Sequence, residues 1–299
     1  MPKIKQFLVP FSIPEAYTGH INRKQLDIPY ANSSSAQKLD LYWPSEGNGP
    51  FPVIVSIHGG AFMGGDKRDV QIQPMLNALD RGFAVVGVNY RMSGEALFPA
   101  LVQDVKAAIR WIRANAKPYM LDSNKIAVWG GSAGGYLSLM AGVTSGIDEL
   151  TDLSLGNPEV ADNVHAVVAW FPPTDFLKMD LQLSQSGFPP IKENLHAAKN
   201  SPESLILGEE ITKIPNIVRI ANPESYLRPD LPPFFIQHGT HDRTVPYQQS
   251  LNFAEKLHTL APRSVTYELI LNAEHADPAF ERKHNVKKVL DFIEGVFNK

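Results

Sequence analysis

Residues 126–135 read Ile126-Ala127-Val128-Trp129-Gly130-Gly131-Ser132-Ala133-Gly134-Gly135, and an apolar run from Leu137 to Val143 follows. The first four residues form a short apolar run of strand type, and the later run has helical character. A strand that turns into a helix through G-x-S-x-G sets its serine on a sharp bend. Glycine two residues before and two after removes Cβ groups that the bend would bring into contact. Ser132 then projects its hydroxyl above the sheet, at the positive end of the helix. A phosphate-binding loop would need a lysine after the glycines, and Tyr136 stands there instead.

Outward from this turn, apolar runs recur at Val53–Ile57, Phe83–Val88, Val164–Trp170, Phe234–Gln237 and Val265–Leu271, bounded by Gly, Pro, Asn or Asp. With Ile126–Trp129 they read as buried strands. Helical spacing appears between them at Leu101, Val105, Ala108, Ile109 and Ile112, then at Phe253, Leu257 and Leu260, and last at Val286, Val289, Leu290, Ile293 and Val296. This alternation predicts an α/β fold, a mostly parallel sheet with helices on both faces. Gln25–Tyr30 and Lys38–Trp43 alternate polar and apolar residues, which suits an antiparallel edge pair. Residues 176–233 break the alternation with proline-bearing, mixed sequence and read as a cap over a site. Residues 1–24 read as an N-terminal extension without a placed element. With no repeats and no low-complexity tract, the expectation is one domain over 1–299.

The 299 residues are 43% apolar and 20% charged, with 28 basic against 31 acidic side chains. A chain this close to neutral lacks the clustered positive charge that nucleic acid or an anionic membrane surface recruits. A small-molecule or carbohydrate substrate fits better, and oligomeric state is not legible. Cysteine is absent, which excludes disulfides, thiolate metal sites and a cysteine nucleophile. No run approaches about 18 apolar residues, and Met1–Pro10 lacks the apolar core of a leader. The expectation is a soluble cytoplasmic protein, or a secreted one if a leader has been trimmed.

A serine hydroxyl needs a base, and the base needs an orienting carboxylate. In a chain with a G-x-S-x-G turn the acid follows the serine and the histidine comes last, each after a late strand. Asp242 follows Phe234–Gln237, and His275 follows Val265–Leu271. Both would stand at the carboxyl edge of the sheet, where open α/β sheets place their ligands. His238 and His241 flank the acid and read as packed residues. His165, His196, His258 and His284 lack a strand-end setting, and His20 lies in the extension. Asp175 is the rival carboxylate, with a loop-capping role the better reading.

An attacked carbonyl also needs N–H groups aimed at its developing charge. Val53–Ile57 ends in His58-Gly59-Gly60-Ala61-Phe62-Met63-Gly64-Gly65. Gly60 or Ala61 is the expected oxyanion donor of this loop, which of the two not being legible, with Ala133 after the serine, while His58 shapes the loop. Phe62, Met63 and Tyr136 line an acyl pocket or pack as ordinary core.

These motifs, with Asp104–Ile112, Ala221-Asn222-Pro223, Pro232-Pro233-Phe234 and Asp242–Pro246, resemble α/β-hydrolase esterases related to hormone-sensitive lipase. Among those the chain is most similar to bacterial carboxylesterases that include bifunctional feruloyl and acetyl-xylan esterases. The likeness runs from about Lys38 to the C-terminus. It implies an α/β-hydrolase fold with an eight-stranded sheet, no cofactor or metal, and hydrolysis of short acyl or aromatic acyl esters. Ala61 stands where the wider group more often has a third glycine, and Ala273, Glu274 and Ala276 replace glycines usual around the last histidine. The same triad would serve an aryl formamidase or a peptidase. A hydrolase-fold protein that binds a ligand without turnover is the reading from another class.

Overall fold

The computed structural model describes residues 13–299, so the first twelve residues of the expected extension lie outside it. Among the described residues eight strands form one sheet in the order β1-β2-β4-β3-β5-β6-β7-β8. They are β1 (Lys24–Pro29), β2 (Lys38–Tyr42), β3 (Phe51–Ile57), β4 (Ala84–Val88), β5 (Leu121–Gly131), β6 (Ala166–Trp170), β7 (Phe234–Gly239) and β8 (Val265–Ile270). Only β2 runs against the others, pairing antiparallel with both β1 and β4. The α-helices are α1 (Gln73–Leu76), α2 (Ala100–Ala114), α3 (Ala133–Val143), α4 (Met179–Gln185), α5 (Pro202–Leu207), α6 (Pro215–Ala221), α7 (Gln248–Leu260) and α8 (Lys283–Phe297). This is the α/β-hydrolase architecture.

Alternate strand residues feed two cores. Val53, Val55, Ile126, Val128 and Ile236 pack with α2, α3 and α7 on one face, whereas Ile54, Ala127, Trp129, Val168 and Phe235 pack with α1 and α8 on the other. A strand covered on both sides has no polar alternate residue, which is why its sequence reads as a continuous apolar run. Each large side chain buried this way contributes about 1.5–3 kcal/mol.

Two expectations need correction. Val265–Leu271 is not a buried strand: β8 pairs only with β7 at the sheet edge, and Leu271 is 76% exposed. The strand after residue 163 starts at Ala166, although His165 N–H still donates to Ile126 O of β5 at 2.8 Å. Residues 70–81, unread in the sequence, form three consecutive short helical turns.

At the opposite edge β1 and β2 carry charge as well as pairing. A bulge between Gln25 and Ile28 puts Asp27 at φ 58°, and its N–H donates to Oδ1 of the buried Asp40 at 2.6 Å. Lys67 and Arg68 reach both carboxylates, at 2.5–3.4 Å, which fastens the loop after β3 to this edge. Residues 13–23 add to the same corner through Val70 N–H to Pro14 O and Ala16 N–H to Arg68 O, both 2.7 Å.

Candidate active site

The carboxyl ends of the parallel strands bring the expected residues together. β5 ends at Gly131, and Ser132 takes φ 56° and ψ −124°, outside the conformations an L-residue prefers. Such strain persists where the surroundings over-determine it. Here Ser132 N–H donates to Trp170 O at the end of β6, 3.0 Å, and Ser132 O accepts the first helical bond from Tyr136 N–H, 2.9 Å. A Cβ on Gly130 would strike the Gly134 and Ile57 carbonyls, and one on Gly134 would strike Ile57 O. The two glycines are therefore required by close backbone approach.

His275 Nε2 lies 3.0 Å from Ser132 Oγ, and its Nδ1 lies 2.7 Å from Asp242 Oδ2. The carboxylate can only accept, so Nδ1 carries the proton and Nε2 is free to receive one from the serine. The other oxygen of Asp242 accepts the N–H groups of Thr244 and Val245 at 2.9 and 2.8 Å. Burial works against this charge, but His275 and His238 outweigh it and hold the carboxyl well below the usual carboxylate range. It stays ionised wherever the imidazole needs orienting. Asp175, the rival, pairs instead with Lys178 at 2.7 Å and Asn222 at 3.3 Å.

The loop after β3 lies against this serine. Gly60, Ala61 and Phe62 all have positive φ, at 120°, 54° and 62°. Among the described residues the N–H groups of Gly60, Ala61 and Ala133 have no protein acceptor, whereas Gly59 N–H is taken by Gln71 Oε1 at 2.9 Å. The absent third glycine thus leaves an alanine in a left-handed conformation. The loop of His275 does likewise with Ala276 at φ 54°. His58 is buried and stacks on Tyr90 with centroids 4.5 Å apart, its Nδ1 held by Gly59 O at 2.8 Å. Burial pushes its pKa down and keeps it neutral, as suits a loop-shaping residue.

Phe62 and Tyr136 are buried and meet edge to face at 5.3 Å, while Met63 is 42% exposed. Phe176, from the segment between β6 and β7, closes on both rings, and Tyr136 O–H donates to Ala221 O at 2.8 Å. Three side chains were not anticipated here. Gln71 fixes the loop after β3 from a stretch with no periodic signal. Phe171, at φ 40°, sets its ring against His275 at 4.8 Å. Gln249, buried on α7, accepts from Thr174 and Asp175 N–H at 2.6 and 2.7 Å. Phe171 alone left a trace, as an aromatic residue at a strand end before two prolines.

A serine, an imidazole and a carboxylate in hydrogen-bonded line beside unpartnered amides can perform acyl transfer. Comparison with known proteins agrees in kind: the model of the BD-FAE family matches residues 39–257. The chain belongs to the BD-FAE family. The match takes in Ser132 and Asp242 and stops before His275.

A probable carboxylic ester hydrolase, LipM, of Mycobacterium tuberculosis (strain ATCC 25618 / H37Rv) is 30% identical over 84% of this BD-FAE chain and 55% of its own length. The chain spans little more than half the length of the curated relatives it matches first, 55–57%. Among solved structures, a bifunctional GH43-CE protein of Bacteroides eggerthii superposes with a TM-score of 0.79 at 33% identity, over 91% of this chain and 35% of that one. A truncated carbohydrate esterase from gut microbiota gives 0.80 at 29% identity, over 97% and 99% of the two chains. No helix among the described residues is long and apolar enough to cross a membrane.

Proposed function

We propose that this chain is a serine carboxylesterase that hydrolyses short acyl or aromatic acyl esters, with acetyl or feruloyl groups on a carbohydrate such as xylan as its substrate class. The observation that carries the reading is the hydrogen-bonded line from Ser132 Oγ through His275 to Asp242. Membership of BD-FAE, and likeness to a carbohydrate esterase of nearly the same length, support the substrate class.

Ser132 Oγ attacks the ester carbonyl as its proton passes to His275 Nε2, and the carbonyl oxygen gathers negative charge. The N–H groups of Ala133 and of Gly60 or Ala61 receive that charge, from backbone already fixed before the substrate arrives. The tetrahedral centre expels the alcohol, which leaves with the proton from His275, and an acyl-serine remains. Water then repeats the sequence with His275 as its base, releasing the acid and restoring Ser132. Asp242 stays ionised throughout and stabilises the imidazolium. Phe62 and Tyr136 form the wall of the acyl pocket, Met63 its rim, and residues 176–233 the cap of a single domain.

The test is release of p-nitrophenol from acetate, butyrate and octanoate esters by the parent and by Ser132→Ala, followed by acetylated xylan and methyl ferulate. The expected result is preference for the short ester and a loss of about 10⁴–10⁶-fold in kcat in the variant, with unchanged circular dichroism. Faster cleavage of formanilide-type amides than of acetates would move the assignment to an amidase, and equal turnover by both proteins would end it.

A further inference from the structure

We propose that His238, buried beneath the acid loop, is a positioning residue that holds the carboxylate of Asp242 for His275, an inference that rests on the triad reading above. The mechanism leaves this imidazole unused, yet it is fully buried at the end of β7. Its Nε2 lies 2.9 Å from Val245 O and 3.3 Å from Asp242 Oδ2, and its Nδ1 lies 2.7 Å from Ser250 Oγ.

A carbonyl oxygen only accepts, so Nε2 of His238 carries a proton whatever the charge on the ring. That one N–H is given to Val245 O, with Asp242 Oδ2 3.3 Å from the same nitrogen. The neutral ring then accepts the Ser250 hydroxyl at Nδ1, so every polar atom of a buried imidazole has a partner. Asp242 Oδ2 sits between two imidazoles, His275 on the serine side and His238 on the sheet side, while Oδ1 is tied to two backbone amides. A carboxylate gripped at both oxygens cannot swing away from His275 without stranding a donor.

The titratable groups that meet this carboxylate are His238 from β7 and His275 from the loop after β8. From α7 comes the neutral Ser250, and the insertion touches the same loop through His196 at Thr244 O, 2.8 Å, with Glu203 behind it at 3.1 Å. The His238 N–H takes up part of the charge on the very oxygen that serves His275. Without it, that oxygen favours the imidazolium more strongly, and its direction is less well held. The base is then harder to deprotonate before attack and less well aimed.

The experiment compares the full chain with His238→Leu, His238→Gln and Ser250→Ala. It reads kcat, KM, the acidic limb of the kcat/KM profile, thermal unfolding and, without substrate, the low-field N–H proton resonance of the His275–Asp242 bond. His238→Leu is expected to lose about 10–100-fold in kcat at nearly constant KM. Its acidic limb is expected about half a unit to one unit higher in pH, and the low-field resonance moves. His238→Gln, whose amide N–H replaces the Nε2–H, restores most of kcat and the parental limb. A folded His238→Leu with parental limb and resonance, or a His238→Gln no better than His238→Leu, overturns the proposal. If His238→Leu does not fold, Ser250→Ala decides: a resonance shift with a several-fold loss of kcat supports the role, and parental values overturn it. Failure of the esterase reading shows separately, as turnover that survives Ser132→Ala, and the substrate-free resonance still decides for His238.

Discussion

The serine turn and the insertion between β6 and β7 meet at Tyr136, and they are held by opposite means. Around Ser132 the restraint is steric: strands register against one another, glycines admit carbonyls at close quarters, and the neighbouring strand residues are almost wholly buried. The insertion instead leaves Leu181 and Ile191 about 60% exposed and is fastened at a few polar points. Gln249 holds Thr174 and Asp175, Asp180 accepts the N–H groups of His196 and Ala197 at 2.8 and 2.9 Å, and His196 reaches Thr244. A shape fixed by packing fails when volume is added. One fixed by hydrogen bonds fails when a partner is removed.

Three substitutions sharpen or break this contrast. The largest effect is expected from Gly134→Ala, whose methyl would overlap the Ile57 carbonyl. Chemical denaturation should show a loss of about 3–5 kcal/mol, with kcat falling in step because Ser132 and Ala133 shift together. Gln249→Leu keeps the volume but strands the buried amide of Thr174 and the half-buried one of Asp175, and it should cost about 2–3 kcal/mol. If the insertion is a cap, this variant changes KM more than kcat. Loss of stability in Gln249→Leu larger than in Gly134→Ala would reverse the contrast.

The smallest effect concerns His196. Burial opposes its protonation, but the Glu203 carboxylate at 3.1 Å and the Thr244 carbonyl outweigh that and raise its pKa. A group with a raised folded pKa contributes fully at pH below its unfolded value near 6.5, and that contribution disappears as pH rises through the folded value. Parental stability should therefore decline as pH rises above 6.5, and His196→Gln should flatten the decline. Parallel curves for the two proteins would remove His196 as an anchor.

The same contrast explains what could be read from the sequence. Strands covered on both faces announce themselves, so β3, β4, β5 and β7 were legible from Val, Ile and Phe alone. β8 was legible as a strand but not as an edge, because Val265–Leu271 has the composition of a buried run and only pairing reveals its single neighbour. β5 extends back to Leu121 through the polar Asp122, Ser123 and Asn124, where alignment with Phe51 keeps the strand extended and no apolar pattern signals it. At the site, Ser132, Asp242 and His275 were legible because each follows a strand in a fixed order. Gln71, Phe171 and Gln249 were not, since their work is set by contacts 12 to 104 residues away in the chain. No local spacing encodes such a contact.

The hydrogen bonds of the triad also set a timetable. His275 reaches Asp242 across 33 residues and Ser132 across 143, and the loop that carries it hangs from the last strand of the sheet. Contacts so distant in sequence are slow to close. A refolding chain would regain helix and most of its sheet before Ser132, His275 and Asp242 came into line. The hydrogen-bonded line is thus the last feature to return, and its recovery marks the docking of β8 more sharply than any spectroscopic measure of secondary structure.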